Sequence, residues 1–292
     1  MLKDCIEIIF YLLLFSNIAV PKVISDTNVP DWKITELLAE RYPFIVALLN
    51  THKRFECSGT IINERTIITS GNCITSKLRY VTAGVAVYDK DTNKHNIFEI
   101  ASVKLHTDYT YEHEETEDNI MKMHSNIGLV FVRKPVLNYF IESPVIGNKN
   151  ASQIKDKQLI VVGFAKIRNS SAVAISKQIY HQTPCINPKW YYCICGKEYS
   201  NSTTNKQDFG KGAPLILGST VVGIAACPCV LKALKTDEVR HNIFTVISPY
   251  LAWVEEFQTQ TSIPFRAQIS FAPVKVITKC VYFVLLANKV LI

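Results

Sequence analysis

The stretch Ile68-Thr69-Ser70-Gly71-Asn72-Cys73 decides how this chain is read, together with Ser125-Asn126-Ile127-Gly128-Leu129-Val130 and Phe209-Gly210-Lys211-Gly212-Ala213-Pro214-Leu215. Each joins a short apolar run to a turn. Phe44-Ile45-Val46-Ala47-Leu48-Leu49, Gly59-Thr60-Ile61-Ile62, Leu159-Ile160-Val161-Val162-Gly163, Thr220-Val221-Val222-Gly223-Ile224 and Asn242-Ile243-Phe244-Thr245-Val246-Ile247 repeat the pattern along the chain. Segments of strand length, rich in β-branched residues and separated by turns, argue for a sandwich or barrel rather than a parallel sheet alternating with helices. One helix is legible, and it comes late. Ser248 is its expected cap, Pro249 suits its first position, and Tyr250, Trp253, Val254 and Phe257 recur at i, i+3, i+4 and i+7 as one apolar face.

With 292 residues, 48% of them hydrophobic, the chain has material for one large all-β domain or two small ones. That composition excludes a disordered protein. Residues 1–25 hold a lysine near the start and then Ile8-Ile9-Phe10-Tyr11-Leu12-Leu13-Leu14-Phe15, too short to span a bilayer and of the right length for a secretory signal. Cleavage is expected after Ser25, with Ala19 as the alternative, leaving residues 26–33 as a short pro-like segment. The net charge of +7 is spread thinly, without the Lys/Arg stripe that nucleic-acid binding needs. Residues 259–292 form a basic, apolar tail in which Arg266, Lys275, Lys279 and Lys289 have no acidic counterpart. Its last apolar run falls short of the ~20 residues of a spanning helix. A lipid-anchor signal, an interfacial membrane segment, a terminal strand packed on the domain and a poorly ordered tail all remain open for it.

Secretion governs how the nine cysteines are read, because an oxidising compartment makes bridges the default. Cys193-Ile194-Cys195 and Cys227-Pro228-Cys229 depart from the usual zinc spacing and lack a histidine nearby, so neither a metal nor another cofactor is expected. The sequons at Asn150, Asn169 and Asn201 fit a glycosylated extracellular chain. The run from Glu112 to Asp118 reads as a solvated acidic loop.

The three opening stretches resemble the active-site motifs of the trypsin-like serine proteases, roughly T-A-A-H-C, D-I-A-L-L and G-D-S-G-G-P-L. Tyr42-Pro43-Phe44-Ile45-Val46-Ala47-Leu48 resembles that family's first strand, Cys57-Ser58-Gly59-Thr60-Ile61-Ile62 its C-G-G-S-L-I, and Val162-Gly163-Phe164 its G-W-G turn. The likeness runs in order from about Ile34 to Gln258, with Ser248 to Phe257 as the family's terminal helix. It implies an all-β fold of two packed six-stranded antiparallel β-barrels of chymotrypsin type with a C-terminal α-helix, over a domain of residues 34–258. It also implies a bridge between Cys57 and Cys73. Cys185 is then expected to reach Cys193 or Cys195, and the remaining member of that pair Cys227 or Cys229; the odd cysteine left in the domain has Cys280 as its obvious partner.

On this resemblance the base position holds Asn72, the orienting acid Asn126 and the nucleophile Lys211. A carboxamide does not titrate near neutrality and is no general base, and a lysine cation does not attack a carbonyl. Asp118 and His124 are rivals in register, but neither supplies a serine before Gly212 or a histidine beside Cys73. The supporting positions are altered too. Gly210 replaces the aspartate that pairs with the activated N-terminus, Phe209 an oxyanion-hole glycine, and Asn205 the acidic floor of the specificity pocket. Ala225-Ala226-Cys227-Pro228 stands in place of V-S-W-G, and Lys33-Ile34 is a remnant of an activation site or an ordinary exposed lysine.

The first reading is a secreted, catalytically inactive homologue that presents loops to an extracellular protein, with partners expected among active proteases, their substrates or their inhibitors. The runner-up is a hydrolase of the same family with rearranged or residual proteolytic activity, in which a desolvated Lys211 acts as base or nucleophile. A membrane-tethered surface protein, held by its tail, is the third.

Overall fold

The computed structural model describes residues 31–92, 96–113, 120–136, 143–167, 170–183, 185, 191–198, 210–231 and 239–261. The expected signal peptide and the tail beyond residue 261 lie outside them. Helix α1 (Asp31–Arg41) precedes strands β1 (Ile45–Asn50), β2 (Phe55–Asn63), β3 (Thr66–Thr69), β4 (Leu78–Ala83), β5 (Val87–Tyr88), β6 (Ile97–Leu105), β7 (Thr110–His113), β8 (Ile120–His124) and β9 (Gly128–Val132). After β10 (Val145–Ile146) and the short helix α2 (Ala151–Ile154) come β11 (Gln158–Lys166), β12 (Val173–Thr183), β13 (Cys193–Glu198), β14 (Pro214–Leu217), β15 (Thr220–Leu231), β16 (Val239–Val246) and helix α3 (Leu251–Thr261).

The strands close two six-stranded antiparallel barrels. The first runs β1-β2-β3-β9-β6-β4, and the second β15-β14-β11-β12-β13-β16, closed by the β15–β16 pairing. β10 lies parallel along β15, and β5, from the first half of the sequence, pairs with β12 of the second barrel. β7 and β8 form a separate hairpin.

The unbroken apolar runs follow from where the strands sit. β1 is buried along its whole length because both faces are covered. Val46 and Leu48 point into the first barrel with Ile61, Ile67, Val81 and Val130. Ile45, Ala47 and Leu49 point the other way, into a core shared with Val162 and Phe164. β11 alternates in the same manner, with Leu159 and Val161 inside the second barrel and Val162 and Phe164 in the shared core. That shared core fastens barrel to barrel.

Two sequence expectations need correction. Ser248 does not cap the terminal helix: a 3-10 turn, Ser248–Tyr250, precedes α3, and no side chain caps that turn. The apolar face is as expected, with Tyr250 and Val254 buried and Trp253 and Phe257 half-buried against the shared core. The expected bridge from the second barrel's C-x-C pair to β15 is also not formed, since Cys195 pairs with Cys185 and Cys193 keeps a free thiol. β16 lies between β13 and β15 in the sheet order. Two strand spacings, about 9.5 Å, exceed the roughly 7 Å between Cα atoms that a disulfide can bridge.

Candidate functional site

Asn72 sits in a 3-10 turn, Gly71–Cys73, that ends β3 and is stapled to β2 by the Cys57–Cys73 disulfide. Its backbone N–H donates to Asn126 Oδ1 at 2.9 Å, so two of the three expected catalytic positions meet. Its side chain is engaged at both ends. Oδ1 accepts the Ser70 hydroxyl at 2.7 Å, and Nδ2 donates to the Ala226 carbonyl of β15 at 3.0 Å. Asn126 follows Ser125, which takes a left-handed φ of 46° to aim it inward, and is itself buried. Its Nδ2 faces the Met123 sulfur at 3.2 Å, a weak acceptor in an apolar cluster with Ala226 and Ile243. The Thr245 hydroxyl of β16 donates to the Asn126 carbonyl at 3.2 Å.

Lys211 lies in the turn before β14 with its carbonyl accepting the Ser58 N–H at 2.7 Å. Its ammonium meets no carboxylate among the described residues. Ser58, where the resembled motif has glycine, is a second joint between the barrels: its hydroxyl accepts the Phe164 N–H at 2.9 Å, and its carbonyl accepts the Thr69 hydroxyl at 2.8 Å. Gly212 must be glycine, for its φ is +83° and a Cβ would run into the Ser58 carbonyl. At Gly210 a Cβ would come within 2.6 Å of Phe55 Cζ and 3.1 Å of the Phe164 carbonyl. The space beside Gly210 is thus filled by Phe55, whose ring also packs against Phe164 at 6.2 Å.

Four hydrogen bonds among these residues cross from barrel to barrel: Asn72 to Ala226, Thr245 to Asn126, Phe164 to Ser58, and Ser58 to Lys211. What the arrangement supplies is carboxamides and backbone groups, which orient and bond but do not exchange protons near neutral pH. Sequence reasoning missed Ser58 and Phe55. The signal for Ser58 was present, as a hydroxyl in a motif position otherwise held by glycine. Phe55 had no signal, because its approach to Gly210 is set by tertiary packing.

The remaining expected site residues scatter. Phe209, Asn205, Asn169 and Asn201 lie outside the described residues, as do the side chains of Cys227 and Cys229. The Cys193 thiol donates to the Tyr191 carbonyl at 3.0 Å, and burial pushes its pKa up to about 12. Asn150 is exposed and caps α2, its Oδ1 accepting from the Gln153 N–H at 3.0 Å. Lys33 and Ile34 lie within α1, whose Leu38 and Ala39 pack on the shared core.

Comparison with known proteins places this geometry. Two similar solved structures are neuropsin, a serine protease expressed in the limbic system of mouse brain, and a kallikrein-related peptidase 10 complex with Zn2+. Neuropsin aligns with a TM-score of 0.56 at 16% identity, over 75% of this chain and 96% of its own. The peptidase aligns with a TM-score of 0.55 at 15% identity, over 76% of this chain and 98% of its own. At such identities the likeness speaks for the fold alone. No curated protein sequence matches the chain. The family profile described as Trypsin matches residues 34–254, well over half of the sequence, and the chain therefore belongs to the trypsin family.

Proposed function

We propose that this chain is a secreted trypsin-family protein without catalytic activity, whose barrels serve as a rigid frame for loops that bind another extracellular protein. The observation that carries the reading is the bonding of Asn72. At the position expected to hold the base, a side chain that cannot titrate is tied at one end to Ser70 and at the other to the second barrel. A general base needs a free lone pair aimed at its proton. Here the corresponding atoms are committed to holding the barrels together. The Phe55 ring beside Gly210 supports the same reading, because the position expected to hold the aspartate that orders an activated pocket carries no side chain, and a Cβ there would come within 2.6 Å of Phe55 Cζ. The disulfides Cys57–Cys73 and Cys185–Cys195 fit an oxidising, extracellular setting.

Loss of the whole triad costs about 10⁶ in kcat in a well-studied serine protease, or roughly 8–9 kcal/mol of transition-state stabilisation. We expect the secreted protein to hydrolyse peptide, ester and amide substrates no faster than a buffer blank, and a serine-directed phosphonate to leave it unlabelled. Stoichiometric labelling within residues 209–212 would overturn the reading. The partner is expected among active proteases, their substrates or their inhibitors, and capture from the native secretion followed by reconstitution with purified candidates identifies it.

A further inference from the structure

Helix α2 packs onto the second barrel, and the residue that caps it faces solvent. Ile154, at its end, is fully buried in the cluster of Leu159, Val161, Tyr180 and Phe244, with Ala151 packed against that cluster. Asn148, Lys149, Asn150, Ser152 and Gln153 are exposed, and so is the run 155–158. Asn150 is extended, with φ −81° and ψ 170°, and forms a capping box with Gln153. Its Oδ1 accepts the Gln153 N–H at 3.0 Å, and its own N–H donates to Gln153 Oε1 at 3.0 Å. Oδ1 also accepts the Ser152 hydroxyl at 2.6 Å. These contacts use the oxygen and the backbone, so Nδ2 is left with no bond among the described residues.

That division suits one covalent modification. Asn150-Ala151-Ser152 is an acceptor for N-linked oligosaccharide, with alanine in the middle position from which only proline is barred. Transfer forms a bond from Nδ2 to the anomeric carbon of the first sugar and breaks that carbon's bond to the lipid pyrophosphate that carries the oligosaccharide. The amide gives up one proton, and the pyrophosphate leaves with the electron pair. The product keeps Oδ1 as an acceptor and one N–H on Nδ2. A sugar on Asn150 therefore costs the helix none of its cap. Aspartate, serine or threonine would cap as well, but only asparagine among them supplies an acceptor nitrogen. A bulky, strongly hydrated group must also stand at the surface, as the exposure of Asn150 and its neighbours allows.

We propose that Asn150 carries an N-linked oligosaccharide on Nδ2 while its Oδ1 continues to cap α2. This rests on the reading of the chain as secreted, since the lipid-linked donor is met in the secretory compartment. The sugar shields this part of the second barrel, so loops that meet a protein partner are drawn from elsewhere on the surface.

The test uses the full chain made in cultured animal cells and collected from the medium. Peptide-N-glycosidase treatment in heavy-oxygen water, followed by mass spectrometry, should convert residue 150 from a sugar-bearing asparagine to an aspartate that carries the heavy isotope. An unmodified Asn150 in a chain that is secreted and has its Cys57–Cys73 bridge would overturn the proposal and leave the secretion reading standing. A chain kept inside the cell with both of those thiols reduced would fail the secretion reading, and the proposal with it. Two variants separate the sugar from the cap. Asn150→Asp keeps the oxygen that accepts from Gln153, and Ser152→Ala keeps Asn150 itself; each should be secreted and run on a denaturing gel one oligosaccharide lighter than the wild type. Wild-type mobility in either variant would contradict the proposal.

Discussion

Asn72 gains its role from a single added donor. An imidazole at this position could not at once accept from Ser70 and donate to Ala226 while leaving a lone pair for catalysis, whereas a carboxamide satisfies both contacts. Replacing Asn72 by alanine strands the Ser70 hydroxyl, which is buried, and the Ala226 carbonyl. We expect a loss of about 1–3 kcal/mol in urea unfolding. Asn126→Asp tests the neighbouring position with a definite pH signature. The oxygen replacing Nδ2 would face Met123 in an apolar cluster, with no hydroxyl at Ala226 to support it. Such a carboxyl has its folded pKa raised above the unfolded value of about 3.9. The variant should therefore approach wild-type stability in acid and lose stability as pH rises through that raised pKa; a variant equally stable across the range would show that a donor has been overlooked. Asn72, Asn126 and Lys211 were legible in the sequence because each sits inside a motif with fixed neighbours. Their bonding was not, because Ala226 and Thr245 reach them from strands more than a hundred residues away.

The glycine turn before β14 and the helix α1 both bear on whether the chain can be activated. Gly210→Asp, the change to the residue that the resemblance expects here, brings a Cβ within 2.6 Å of Phe55 Cζ and 3.1 Å of the Phe164 carbonyl. We expect it to destabilise the fold by about 1–3 kcal/mol, and Phe55→Ala in the same chain to recover part of that loss. If Gly210→Asp were neutral by thermal unfolding, the space would be open and the pocket intact. Cutting an engineered site between Lys33 and Ile34 is a related test. Because those residues lie within α1 and a new ammonium would find no carboxylate at Gly210, the melting temperature should not rise. A large rise would reveal another acid in that role. Strand positions were legible here from β-branched runs and turns. The start of the terminal helix was misread, because Pro249 and Ser248 fit a cap equally well whether the first turn is α or 3-10.

His106 links the first barrel to the terminal helix through its contacts with Tyr250 and Trp253, and burial lowers its pKa, with Asp108 raising it and His124 lowering it again. A histidine held below its unfolded pKa contributes stability above about pH 6.5 that is lost as pH falls. His106→Phe should flatten that part of the acid unfolding curve, and an unchanged curve would place the sensitivity elsewhere.

Across the whole molecule, two barrels share one core through β1 and β11, and the positions that the resemblance expects to be catalytic lie on the same seam. The barrel architecture was legible because runs such as Phe44 to Leu49 and Leu159 to Gly163 are apolar on both faces, as a strand between two cores must be. The free thiol of Cys193 was not, since strand order decides it and the C-x-C spacing does not reveal which strand intervenes. The central claim is that this seam holds the barrels together in place of doing chemistry. Its most direct test is the unfolding free energy of the chain carrying Asn72→His, Asn126→Asp and Lys211→Ser together, measured in urea at neutral pH. We expect the triple substitution to cost about 1–3 kcal/mol, since the side-chain bond from Asn72 to Ala226 is lost and a carboxylate is placed against Met123. A restored chain as stable as the wild type would contradict the claim.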